Sequence, residues 1–179
     1  MHRNDRKVLE FFRDIIQPST KIYDSKINFA SELTICIDRI YADILVNWGF
    51  VQRKSLTLGP TPKLDSITDE QFYQLFVGII EGDGSVDCIR MKSRINYYMV
   101  PRIRLMSGSS KFIGWIRSKL IRLGFKRRKI TTTRNRKHSF SYAICGADAI
   151  RLHGLLMRCK YKMLDRKWSR ITQKEVILF

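Results

Sequence analysis

Proline is scarce, with four residues in 179, and no stretch is rich in glycine or serine. With 11% aromatics, that composition argues against a generally disordered chain. Long apolar runs are missing too: none approaches the roughly 20 residues a membrane span requires, so the sequence reads as that of a soluble protein. The four cysteines (Cys36, Cys88, Cys145, Cys159) are scattered without a CxxC pair, and His2, His138 and His153 complete no zinc spacing. They are expected to be reduced thiols in a core. The start of the chain lacks the apolar stretch of a signal peptide, and the acids Asp5, Glu10 and Asp14 speak against an organellar transit peptide.

Acidic residues are the most telling shortage. Sixteen Asp and Glu face 34 Lys and Arg, for a formal charge of +18. Between Cys88 and Gly146 there is no acid at all, while the same stretch holds 16 Lys or Arg. Such a segment suits a polyanion. An anionic membrane is the weaker fit, because these cations alternate as in strands and do not line one face of an amphipathic helix.

What is present is a regular pattern. Phe72, Leu75, Phe76, Ile79 and Ile80 recur at helical spacing over 68–83, with Asp69 and Glu70 in the first turn. A strand is expected over 85–92, with Ile89 and Met91 on one side and Arg90 and Lys92 on the other. After a polar turn at 93–96 a second strand passes through Arg102-Ile103-Arg104-Leu105. A helix over 110–123 buries Phe112, Trp115, Ile116, Leu120 and Leu123, with Gly124 as its stop. Strands over 128–133 and 139–145 bracket the loop Arg134-Asn135-Arg136-Lys137. In the last strand Phe140, Tyr142 and Ile144 should face inward, with Ser139 and Ser141 outward. A helix carrying Ile150, Leu152, Leu155 and Leu156 follows.

The fold class is therefore α+β: helix, two strands, helix, two strands, helix, with a four-stranded antiparallel sheet covered on one face. The open face is expected to present Arg90, Lys92, Arg102, Arg104 and Arg127 or Lys129 to nucleic acid. Alternating basic side chains on a β-ribbon can reach phosphates and base edges.

The first third repeats part of this pattern. Lys7-Val8-Leu9-Glu10-Phe11-Phe12-Arg13 parallels Lys111-Phe112-Ile113-Gly114-Trp115-Ile116-Arg117. Lys26-Ile27-Asn28-Phe29-Ala30 lines up with Ser139-Phe140-Ser141-Tyr142-Ala143, and Arg53-Lys54 with Arg166-Lys167. Residues 1–57 thus read as a partial first repeat without its opening helix and first strand pair, 58–67 as a linker with Pro60 and Pro62, and 68–179 as a complete repeat.

The chemistry concentrates in Phe76-Val77-Gly78-Ile79-Ile80-Glu81-Gly82-Asp83-Gly84. Two glycines four apart let another helix approach closely, by the geometry of small-xxx-small pairs. A carboxylate at that helix end, surrounded by cations and facing a polyanion, would repel its ligand unless it held a metal. Mg²⁺ accepts one or two carboxylates together with phosphate oxygens and water.

This stretch resembles the LAGLIDADG motif, with Gly78, Ile80, Asp83 and Gly84 matching. The flanking basic strands, Lys54-Ser55-Leu56-Thr57-Leu58 and Leu164-Asp165-Arg166-Lys167 also resemble the layout of the LAGLIDADG homing endonucleases. The resemblance implies the αββαββα fold with a DNA-facing basic sheet. It further implies metal-dependent, site-specific hydrolysis of duplex DNA, with Asp83 as metal ligand and the Gly82 carbonyl nearby. The motif helix would pair with another through Gly78, Gly82, Phe76 and Ile79, while Glu81 would be structural. Lys167 would stabilise charge in the transition state, with Lys54 as its counterpart in the first repeat. Arg134, Arg136 and Lys137 would add nucleic-acid contacts. Where the family often places a water-positioning Gln, this chain has Ser107-Gly108-Ser109.

One Asp83 per chain leaves three expectations: pairing with a second copy through the helix at 76–84, a fragment or one part of a split protein whose complementary piece brings the other acid, or a relative that binds without cutting. In the last case structured RNA is an alternative ligand, with Tyr97, Tyr98 and Trp168 as candidate stacking platforms. The resemblance also suggests an organellar or microbial origin.

Overall fold

The computed structural model describes residues 2–25, 29–36, 39–51, 54–92, 94–132, 139–159 and 164–171, the side chains of Lys54 and Ser55 excepted. Four of the expected positions, Arg134, Arg136 and Lys137 and the side chain of Lys54, lie outside the described residues.

The order of elements is α1 (Arg6–Ile16), β1 (Ile22–Asp24), β2 (Ser31–Leu33), α2 (Arg39–Asn47), α3 (Lys54–Thr57), α4 (Pro62–Asp65), α5 (Asp69–Asp83), β3 (Ser85–Lys92), β4 (Tyr97–Ser107), α6 (Ser110–Arg122), β5 (Thr131–Thr132), β6 (Phe140–Cys145), α7 (Ala147–Leu156) and α8 (Asp165–Trp168). The expected α+β architecture is present. From α5 onward the chain builds a four-stranded antiparallel sheet in the order β3-β4-β6-β5. No described helix is long and apolar enough to cross a membrane.

Local chemistry fixes the ends of α5. Thr68 Oγ1 accepts from the Gln71 amide while the Gln71 side chain accepts from the Thr68 amide, a reciprocal capping box. The other end turns sharply at Gly84. A Cβ there would lie 2.6 Å from Ile80 Cα and 2.9 Å from its carbonyl oxygen, so a side chain would collide with the helix backbone.

The core lies between one sheet face and the helices. Val86 of β3, Ile103 and Leu105 of β4, and Tyr142 and Ile144 of β6 pack with Phe72, Phe76 and Ile80 of α5. Phe112, Trp115, Ile116 and Leu120 of α6 and Leu152 and Leu156 of α7 complete it. The segment at 58–67 packs as well: Leu64 and Ile67 are buried in this core. The carboxylate of Asp65 accepts from Trp115 Nε1 at 2.8 Å, and its carbonyl accepts from Lys119 Nζ at 2.9 Å.

Residues 6–47 form helix, hairpin and helix, but the hairpin differs from the sequence alignment. Its second strand begins at Ser31, and Phe29 sits at φ 48° beside it, so Phe29 and Ala30 precede that strand. Unlike α6, α2 buries no residue, and Ile40, Tyr41, Ile44 and Val46 are exposed. The cysteines are free, as expected, but none is in the core: Cys36 is exposed and the others half-buried.

Candidate functional site

The face of the sheet away from the helices is set by register. Val86 pairs with Ile103 in the core, so Ser85, Asp87, Ile89 and Met91 lie on the open face, with Arg104, Arg102, Val100 and Tyr98 opposite them. This corrects the sequence reading for Arg90 and Lys92. They share the parity of buried Val86 and lie on the helix side of the ribbon, beyond the core, where the Arg90 guanidinium stands 4.0 Å over the ring of Tyr97. The apparent alternation of Ile89 and Met91 misled because Met91, 43% exposed, belongs to the open side.

Arg102 and Arg104 do lie together on the open face. Arg102 is neutralised there: its Nε and Nη2 donate to the two carboxylate oxygens of Asp87 at 2.8 and 2.9 Å. That pairing holds the Arg102 guanidinium above its usual pKa. Arg127 and Lys129 are exposed, but they precede the short β5 and lie outside the sheet. The strand expected from 128 shrinks to two residues, and the Arg128 side chain donates instead to the Cys145 carbonyl.

On the motif helix the residues separate by face. Gly78, Gly82 and Asp83 are exposed, and nothing lies within 4 Å of a Cβ built on either glycine. With Leu75 and Ile79 they line an apolar cavity of about 410 Å³, shared with Phe50, Leu58, Met106, Ser107 and Phe112. Phe76, expected in this interface, is fully buried in the chain's own core, because it shares the helix face of Phe72 and Ile80. Ser109 is not free to position water: its hydroxyl accepts from the Phe112 amide and donates to the Leu58 carbonyl.

The end of α5 is held by the C-terminal turn. Lys167 Nζ donates to the carbonyls of Ile80 (2.9 Å), Glu81 (2.6 Å) and Gly84 (3.0 Å). An ammonium group has three donors, so this contact uses all of them. Burial, and then the neighbouring Arg166, push the Lys167 pKa down. In return, the Glu81 carboxylate accepts from the Leu164 amide and from Trp168 Nε1. Burial raises the Glu81 pKa against those hydrogen bonds. Lys167 is thus a cap for the helix that carries Asp83, which the sequence pattern did not reveal. Glu81 is structural, as expected. Trp168 is 2% exposed and can stack on no base, whereas Tyr97 is exposed.

Arg166 extends the same turn to the N-terminal part. Its guanidinium donates to both oxygens of buried Asp5, at 2.6 to 2.9 Å. Nothing in the sequence joined these two residues, which carry no signal for a pair 161 positions apart.

No protein-family model matches the sequence, and no curated protein matches it. Among solved structures, the chain is similar to the crystal structure of the LAGLIDADG meganuclease I-AabMI bound to uncleaved DNA. The TM-score is 0.56 at 15% identity, covering 93% of this chain and 75% of that one. The chain therefore has the fold of a LAGLIDADG meganuclease.

Proposed function

We propose that this protein is a LAGLIDADG-type endonuclease that binds duplex DNA on the open face of its sheet and hydrolyses phosphodiesters at Asp83. One observation carries the reading: an exposed carboxylate ends the motif helix two residues before Ser85 of the open sheet face and lines an apolar cavity.

The donor set suits Mg²⁺. No group of three or more His, Cys, Asp or Glu occurs among the described residues, so no all-protein cage is present. One exposed carboxylate with the neighbouring Gly82 carbonyl matches a cation that completes its shell with water and phosphate oxygens. When bound, the metal would lower the pKa of a bound water and offset charge on the leaving 3′ oxygen. The chain's own contribution is to fix Asp83 through the capped end of α5. Arg104 on the open face and the exposed Arg127 and Lys129 beside the sheet supply phosphate contacts, with an affinity that falls as salt rises.

The exposed face of Leu75, Gly78, Ile79 and Gly82 suits a second motif helix, from another copy or a complementary chain, bringing the acid for the second strand. In this reading residues 1–57 are a partial repeat docked against the complete one.

The test is cleavage of a randomised duplex library in Mg²⁺ by wild type and Asp83→Asn. Site-specific cutting by the wild type, absent from the variant, is the expected result. Salt-sensitive binding without cutting, equal in both proteins, would favour the second reading: a relative that binds DNA or structured RNA without chemistry. The single Asp-Gly motif per chain favours that alternative, and a parallel RNA-binding measurement identifies its ligand.

A further inference from the structure

Hydrolysis of a phosphodiester adds a water oxygen to phosphorus and breaks the P–O3′ bond, with one water proton ending on the departing oxygen. Negative charge accumulates on the non-bridging oxygens in between, and a fixed cation there accelerates the reaction. Lys167 cannot be that cation while its three N–H bonds serve the carbonyls of Ile80, Glu81 and Gly84. Arg102 on the open face is already engaged by Asp87.

Arg104 is differently placed. Its Nε is shielded from solvent and has no acceptor, and Ser85 Oγ, directly across the strand pair, is shielded and unpartnered too. Ser85 stands two residues after Asp83, beyond Gly84, whose carbonyl Lys167 holds. The next open-face residue along β4 is Met106, which lines the cavity that also includes Gly82 and Asp83. Two neighbouring polar groups thus lack partners where the strand leaves the Asp83 end of the helix. Both residues are only half-buried as a whole, so a phosphate that displaced the atoms shielding Arg104 Nε and Ser85 Oγ would accept from the guanidinium and from the hydroxyl.

Resting on the endonuclease reading, we propose that Arg104, assisted by Ser85, is a catalytic residue that grips a non-bridging oxygen of the phosphodiester held at Asp83. The guanidinium stays protonated throughout and transfers no proton. Its fork fits a phosphate edge, which a lysine ammonium does not reproduce. Arg104 thereby takes the role that sequence resemblance assigns to Lys167.

The experiment uses a duplex recovered from the randomised library by wild-type cleavage. Single-turnover rates at saturating protein, dissociation constants and salt slopes are measured for wild type, Arg104→Met, Arg104→Lys, Ser85→Ala and Arg102→Ala, with thermal melting to confirm folding. For Arg104→Met the expected loss is about 100-fold to 1,000-fold in rate, with a dissociation constant changed less than about tenfold. Arg104→Lys should recover part of the rate, Ser85→Ala should lose about threefold to tenfold, and Arg102→Ala should act on binding more than on rate. Should Arg104→Met fail to fold, the Lys and Ser85 variants decide.

An unchanged rate at saturation, with a salt slope lower by about one, would make Arg104 a groove contact and overturn the proposal. Relaxed preference at one base pair with normal cutting would make it a base reader and overturn it equally. A wild type that cuts no duplex would overturn the endonuclease reading itself, and the proposal with it.

Discussion

Lys167 and Glu81 hold each other's elements in place: the lysine ammonium lies 2.6 Å from the Glu81 carbonyl, while the Glu81 carboxylate accepts from the indole next to that lysine. The contact closes across 86 residues of sequence. It places a positive charge at the negative end of the motif helix dipole, where free carbonyls otherwise need water.

Removing the lysine should therefore cost stability before it costs anything else. Lys167→Met is expected to lose roughly 2 kcal/mol, the scale of hydrogen bonds to a charged group. Chemical denaturation checks this. A variant as stable as wild type would mean that the helix end is satisfied without Lys167.

Arg166 and Asp5 tie the N-terminal helix to the C-terminal turn. Arg166→Ala leaves the Asp5 carboxylate, 6% exposed, without its guanidinium. A loss of roughly 2 kcal/mol in the docking of that segment is expected. Hydrogen exchange should show α1 and the first hairpin losing protection while α5 to α7 keep theirs. Uniform loss across the chain would show instead that the two parts unfold as one.

His153 gives stability a pH dependence. Burial lowers its pKa, partly opposed by its hydrogen bond to the Trp168 carbonyl. As pH falls through about 6.5, the unfolded chain takes up a proton that the folded chain resists, so stability falls. The stabilisation is present above that pH and is lost below it. The melting temperature should drop between pH 7.5 and 5.5, and His153→Asn should flatten the drop. An unchanged slope in the variant would assign the effect elsewhere.

Gly78 separates folding from assembly. Nothing in the chain occupies the space a side chain would enter there, and glycine in a helix costs about 1 kcal/mol relative to alanine. Gly78→Ala should fold at least as stably as wild type. Gly78→Leu should fold too, yet block a helix seated against Leu75 and Ile79. Sedimentation of both variants with and without duplex reads this directly. Undiminished assembly by the Leu variant would place the contact on another surface.

The sequence by itself determined the elements from α5 to α7 apart from the short β5, because strong periodicities and end signals coincide there. Asp69 and Glu70 announce the start of the motif helix, the Asp83-Gly84 pair its end, and 85–92 its following strand to the residue. The fold class followed from that order, and Asp83 stood out as a candidate because a carboxylate in a basic setting is conspicuous.

What only the tertiary structure decided was pairing. Strand parity depends on which residue enters the core, and buried Val86, not exposed Met91, fixed it, moving Arg90 and Lys92 off the open face. The fate of each cation depended on partners far away in sequence: Arg102 met Asp87, Arg166 met Asp5, and Lys167 met the end of the motif helix. Periodicity reports which side of an element a residue occupies, but it carries no information about the partner across the gap. Charge is neutralised by proximity in space, and that proximity exists only once the chain has closed on itself.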